Sequence, residues 1–238
     1  DVVVVEGGNR LQAHLSSRDG SRAFPQNPTM PPAAFRRQPD AVAAAAGWFG
    51  RDAGLALLAS EVDVLQQAIQ SRIGQACLLL APLPAGADAE PGILKLHAAE
   101  CGLAGDLRTG LPLPLASESC GVVVVQHLAD LACDPGLLLE ECARVLVPGG
   151  RLWLLALNPL SPYRMRWRGQ GPRVAEPVTW RRRLRVGGLQ PEPVSQGLGP
   201  TWTVALDPAM QDGAGLRAAF LLRAEKRRVP MTPRRAPA

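Results

Sequence analysis

With 238 residues, 47% of them hydrophobic, and a mean hydropathy of +0.02, the chain can build one sizeable core that needs no disulfide or metal staple. Its five cysteines are scattered and include no C-x-x-C pair, which argues for reduced thiols and against a disulfide framework or a zinc site. No apolar run approaches the ~18 residues of a membrane span, and the formal net charge of +5 points to acidic partners if to any.

The charge excess is uneven. Arg164, Arg166, Arg168, Arg173, Arg181, Arg182, Arg183 and Arg185 crowd one region, opposed there only by Glu176. Arg223, Lys226, Arg227, Arg228, Arg234 and Arg235 crowd the end. Such clusters attract RNA, an acidic partner or a membrane surface. No aromatic stacking pattern accompanies them, so a solvated basic face is the simpler reading, with nucleic acid kept as an alternative partner and no membrane expected. The opening at Asp1 rather than Met points to a fragment or an unusual start. The first residues lack the basic-then-apolar order of a secretory signal, so the expected location is cytoplasmic.

Residues 1–40 read as a flexible segment, with Gly7-Gly8 and FPQNPTMPP breaking any regular pattern. Ala41 to Arg72 reads as one or two helices, with Trp48, Phe49, Leu55, Leu58, Val62, Leu65 and Ile69 at helical spacings and Glu61 and Asp63 facing water. Cys77 to Ala81 (CLLLA) is the first apolar strand, followed by Pro82-Leu83-Pro84-Ala85-Gly86. Ile93 to His97 is the second strand, with His97 structural and Glu100 following close behind. The link from Pro82 to Gly92 has room for a single helical turn at most.

Leu111 to Asn158 is the most ordered stretch. Val122–Val125 is an unbroken β-branched run, as in a strand buried on both faces. Asp134 caps the next helix and Pro135 fits its first position, where a missing N–H costs nothing. Leu139, Cys142, Ala143 and Leu146 share one helix face, Pro148-Gly149-Gly150 stops it, and Arg151 to Leu157 returns as a strand. Strand, helix, strand in that order is a βαβ unit and implies a parallel sheet.

Further on, Thr179 to Val186 reads as a short helix. Glu192–Gln196, Thr201–Leu206 and Leu216–Ala224 read as extended segments, the last two forming an antiparallel hairpin. Residues 227–238 read as a disordered basic tail, leaving 41–226 as the folded domain.

LPLPLASES before the strand, Gln126-His127 after it, Asp134-Pro135, and ARVLVPGGRLWLLALNP together resemble the class I S-adenosylmethionine-dependent methyltransferases, of the type 11 kind. The resemblance implies an α/β, Rossmann-like methyltransferase fold. Its sheet is mostly parallel with a C-terminal antiparallel hairpin, and here it is abridged in its N-terminal half.

The resemblance also implies methyl transfer from S-adenosylmethionine to an unidentified acceptor. The implied cofactor contacts are Ala81, Pro82 and Gly86 after the first strand, Asp106 with Leu107 at the adenine, and Gln126 after the Val122–Val125 strand. His127 is the candidate catalytic base, since histidine titrates near neutrality. No metal ligand set is visible. The chain departs from the family where glycines should follow the first strand: prolines stand there and remove N–H donors. The usual acid at the end of the second strand is also missing, and Leu131 stands where a histidine commonly follows the acid at Asp130. These departures support an alternative, a catalytically inactive scaffold or basic nucleic-acid-binding module.

Overall fold

The computed structural model describes residues 45–227 apart from 73, 85–89 and 101. The expected flexible segment 1–40, the basic tail and Gly86 lie outside the described residues. The described chain forms a nine-stranded sheet in the order β3 (Gly102–Gly105), β2 (Ile93–Ala99), β1 (Cys77–Ala81), β4 (Cys120–Gln126), β5 (Leu146–Leu157), β9 (Ala219–Lys226), β7 (Gln196–Leu198) and β8 (Gln211–Asp212), with β6 (Leu189–Pro191) on β9. The central strands β1 (Cys77–Ala81), β2 (Ile93–Ala99), β4 (Cys120–Gln126) and β5 (Leu146–Leu157) are parallel to their neighbours in this group. β9 (Ala219–Lys226) then runs antiparallel to β5.

The parallel core follows from its side chains. β1 and β4 are buried at every position, so their leucines and valines leave water on both faces. Between β4 and β5 runs α4 (Pro135–Val145), preceded by the single turn α3 (Leu128–Leu131). The Asp134 carboxylate accepts from the Gly136 and Leu137 N–H groups at 2.9 and 3.2 Å, satisfying two donors that the first helical turn leaves open. Asp134→Ala is expected to lower stability by about 0.5–2 kcal/mol in urea denaturation, with unchanged slope. α4 stops at Val145, before Pro148. β5 begins at once at Leu146 and includes the Pro-Gly-Gly turn.

At the start of the described chain, residues 45–49 are helical, followed by α1 (Asp52–Ser60) and α2 (Val62–Gln70). Trp48, Phe49, Leu57, Val64 and Ala68 from this region join the core.

The far side of the sheet differs from the sequence expectation. Thr201–Leu206 forms no strand. The edge of β9 is taken instead by β6 (Leu189–Pro191) and β7 (Gln196–Leu198), with β8 (Gln211–Asp212) pairing outside β7. Thr201 to Leu206 are exposed throughout, because the strand edge they would have joined is already held by β7. α5 (Pro177–Val186) begins two residues earlier than expected, with proline in its first turn, and buries Trp180 and Leu184.

The second difference matters more for function. β3 (Gly102–Gly105) runs antiparallel to β2, so the two form a hairpin absent from the sequence expectation. Gly102 and Gly105 have φ of 127° and 140°, and a Cβ there would lie 2.5 Å from the Thr109 carbonyl oxygen and 2.2 Å from that of Lys95. Only glycine lets the chain double back so tightly. The abridgement thus includes the link between the second and third strands.

Candidate functional site

In an open α/β sheet, ligands settle outside the carboxyl ends of the strands, where the strand order reverses. Here that point lies between β1 and β4, so the ends at Ala81, Ala99 and Gln126 define the place to look.

The β4 end is filled by a buried polar cluster. His127 follows β4 with φ 51°, in the left-handed region, and its N–H donates to the Leu155 carbonyl at 2.9 Å. That turn sends the imidazole inward, where it is 0% exposed. Nε2 lies 2.9 Å from Glu61 Oε1, Nδ1 lies 3.3 Å from Asp130 Oδ2, and the ring stacks on Phe49 with centroids 5.0 Å apart. The second oxygen of Glu61 accepts from Gln126 Nε2 at 2.8 Å. Asp130 Oδ2 also accepts the Leu157 N–H at 2.9 Å, while Asp130 Oδ1 is buried without a partner.

Electrostatics fix the charge of this cluster. Burial alone would lower the His127 pKa, but the Glu61 and Asp130 carboxylates outweigh it and push it up to about 9. At neutral pH the ring is therefore an imidazolium, and each N–H donates to a carboxylate. Burial also pushes the Asp130 pKa up, against the opposing pull of His127.

His127, the expected catalytic base, is buried with both ring nitrogens within hydrogen-bond reach of a carboxylate. A buried imidazolium with both nitrogens engaged has no lone pair to offer a substrate. Gln126 is likewise buried and donates to Glu61. Glu61, expected to face water, is 0% exposed and lies at the centre of the cluster.

The open part of the edge lies over β1 and β2. A cleft of about 260 Å³ is lined by Ala46, Gly47, Pro82, Pro84, Ala99 and Glu100, among others. A second cleft of about 500 Å³ runs over β3 and is lined by Glu100, Leu103, Arg108 and Thr109 among others. Glu100 belongs to both, because the hairpin turns at that residue. Its side chain is exposed there. β2 extends two residues past His97, which brings Glu100 to the strand's end.

Of the remaining expected contacts, Ala81 ends β1 and is buried, and Pro82 is buried and lines the smaller cleft. Asp106 does not reach the edge. Its Oδ2 accepts the Lys95 N–H at 2.7 Å and its own N–H donates to the Lys95 carbonyl at 3.1 Å. Because β3 runs backwards along β2, Asp106 stands level with the strand's middle. Asp106, the expected adenine contact, is exposed and bonded to the Lys95 backbone, and Leu107 packs against the core. Among the described residues, no group of three or more His, Cys, Asp or Glu is placed to hold a metal ion.

Residues 79–154, which run from β1 into β5, match a family model described as a methyltransferase domain. Over 66 residues the chain is 36% identical to a ubiquinone biosynthesis O-methyltransferase of Parvibaculum lavamentivorans, a stretch covering 27% of this chain and 26% of that protein. The protein of the same description from Xanthomonas axonopodis pv. citri is 33% identical over 69 residues, covering 28% and 29%. The chain thus spans about a quarter of the length of the curated relatives it matches.

Among solved structures, a S-adenosylmethionine-dependent methyltransferase of Thermotoga maritima superposes with a TM-score of 0.50 at 17% identity, covering 72% of this chain and 92% of that one. The Haloferax volcanii protein solved with the Trm112 methyltransferase activator superposes with a TM-score of 0.54 at 14% identity, covering 78% and 97%. Residues 79–154 thus match a methyltransferase-domain model, and the described chain shares the Rossmann-like fold of these two solved structures.

Proposed function

We propose that the chain binds S-adenosylmethionine across the carboxyl ends of β1 and β2 and transfers its methyl group to an acceptor. The observation that carries this reading is Glu100, an exposed carboxylate at the end of β2 where two clefts meet. A carboxylate there can accept both hydroxyls of a ribose, one on each oxygen. Of the clefts on its two sides, the one of about 500 Å³ falls in the range of small-molecule sites, ~300–1,000 Å³, and the one of about 260 Å³ lies just below it.

The fit is good on the nucleoside side and poorer beside Pro82 and Pro84, whose missing N–H groups cannot hold a carboxylate. When bound, the cofactor supplies an activated sulfonium methyl group. The protein's part is then to hold the nucleoside at Glu100, exclude water with Ala46 and Gly47, and align an acceptor. No side chain acting as a base is required of His127.

Glu100→Ala is expected to weaken S-adenosylhomocysteine binding about 10–100-fold in calorimetry, the loss of ~1.5–3 kcal/mol for hydrogen bonds to a charged group, with little change in thermal midpoint. Asp106→Ala is expected to do the reverse, lowering the midpoint and sparing affinity. Equal affinity in Glu100→Ala and the parent would remove Glu100 from the site.

A second reading is favoured by the Glu61–His127–Asp130 cluster, which occupies the β4 end of the edge. On that reading the fold is kept as a non-catalytic scaffold, and the cluster is part of a fixed core. Absence of any saturable heat with either cofactor form favours the scaffold.

A further inference from the structure

Beyond the cofactor cleft, the chain leaving the carboxyl end of β5 builds a surface that neither reading uses. The 3₁₀ turn Pro162–Arg166 and the residues before it present Leu160 and Met165, 62% and 63% exposed. The irregular run 200–210 adds Trp202 at 68% and Leu206 at 63%. Met165 and Trp202 line one cleft of about 470 Å³ together with Arg51 and Arg166. Arg166 Nη2 donates to the Trp202 carbonyl at 3.1 Å, tying the two segments together. Ser161 Oγ donates to the Leu216 carbonyl at 2.8 Å, which brings another exposed leucine up beside Leu160.

The same turns carry Arg164 and Arg168, both exposed. Among the described residues, none of Arg51, Arg164, Arg166 and Arg168 is ion-paired, while Asp207 on the neighbouring run is already paired with Arg217. Large apolar side chains clustered in water mark an interaction surface, and the solvated guanidinium groups beside them give it a positive charge.

We propose that this face docks on an anionic lipid surface. Leu160, Met165, Trp202 and Leu206 enter the headgroup boundary while the arginines pair with lipid phosphates. Both halves of the patch gain from that environment: apolar side chains leave water, and cations meet a negative surface potential. Nucleic acid would reward the arginines but not the leucines and methionine, and Trp202 alone offers a stacking face there. The expectation of no membrane partner is revised accordingly. No spanning segment is invoked, and no described helix is long and apolar enough to be one.

The test is co-sedimentation of the full chain with phosphatidylcholine vesicles, with and without phosphatidylglycerol, combined with quenching by brominated acyl chains. Trp48, Trp153, Trp167 and Trp180 are each 3% exposed or less, so quenching reads Trp202. The chain is expected to sediment with the anionic vesicles and be quenched. Met165→Glu and Leu206→Glu are each expected to weaken binding about tenfold at unchanged thermal midpoint. Three results would overturn the proposal. One is no sedimentation beyond that with neutral vesicles. Another is sedimentation without quenching. The last is RNA binding tighter than vesicle binding that survives Met165→Glu, which would assign the face to nucleic acid.

Discussion

Glu61→Ala is expected to lower the unfolding free energy by about 3–5 kcal/mol at pH 7, the usual cost of leaving one charge of a buried pair uncompensated. Glu61 hydrogen-bonds the side chains of both Gln126 and His127, at 2.8 and 2.9 Å. Removing it strands the imidazolium with Asp130 alone and leaves the Gln126 amide without its acceptor. The His127 pKa then falls, because burial, which lowers it, loses its largest opponent. Urea denaturation measures the first effect, and NMR titration of the His127 ring measures the second. Glu61→Gln separates charge from packing: it keeps an acceptor in place, so a smaller loss there than in Glu61→Ala measures the packing share. A parent-like midpoint in both variants would mean that the cluster is solvated and that Glu61 is not its anchor.

Stability is also expected to fall on the alkaline side of neutrality. The His127 pKa rises from an ordinary ~6.5 in the unfolded chain to about 9 in the folded one. The folded protein therefore holds this proton more tightly. Its contribution is fully present below pH ~6.5 and is lost as pH rises through about 9. Converting that shift gives a loss on the order of 3 kcal/mol across the window. Asp130 acts with the same sign at lower pH: its raised pKa favours the folded state below its ordinary ~3.9 and withdraws that support as pH rises. Urea midpoints from pH 6 to beyond pH 9 check the alkaline limb. His127→Gln should flatten it, and a flat profile in the parent would contradict the charge state assigned to the ring.

Much of the sheet was legible because its signals are local. The run Val122–Val125 and the Asp134-Pro135 start of α4 each carry their own explanation within a few residues, and the structure places strand and helix there. What escaped was set by distance or by backbone freedom. Glu61 reads as a solvated charge on a helix, since its partners stand 65 and 66 residues away and leave no local trace. β3 escaped because Gly-Leu-Ala-Gly has no strand propensity. Its place depends on two glycines at positive φ, and the only clue was their spacing around Leu103-Ala104. That one hairpin sets Asp106 level with the middle of β2 and puts Glu100 at the strand's end. The same logic covers Thr201–Leu206, whose alternation of Trp202, Val204 and Leu206 looks like a strand. The edge it would have joined is already held by β7.

Cofactor binding is tested most directly by isothermal titration of the full chain with S-adenosylhomocysteine, which needs no acceptor and no turnover. A saturable heat with one ligand per chain, weakened in Glu100→Ala, is the predicted result. No heat at high micromolar protein and ligand would contradict it and leave the scaffold as the reading that stands.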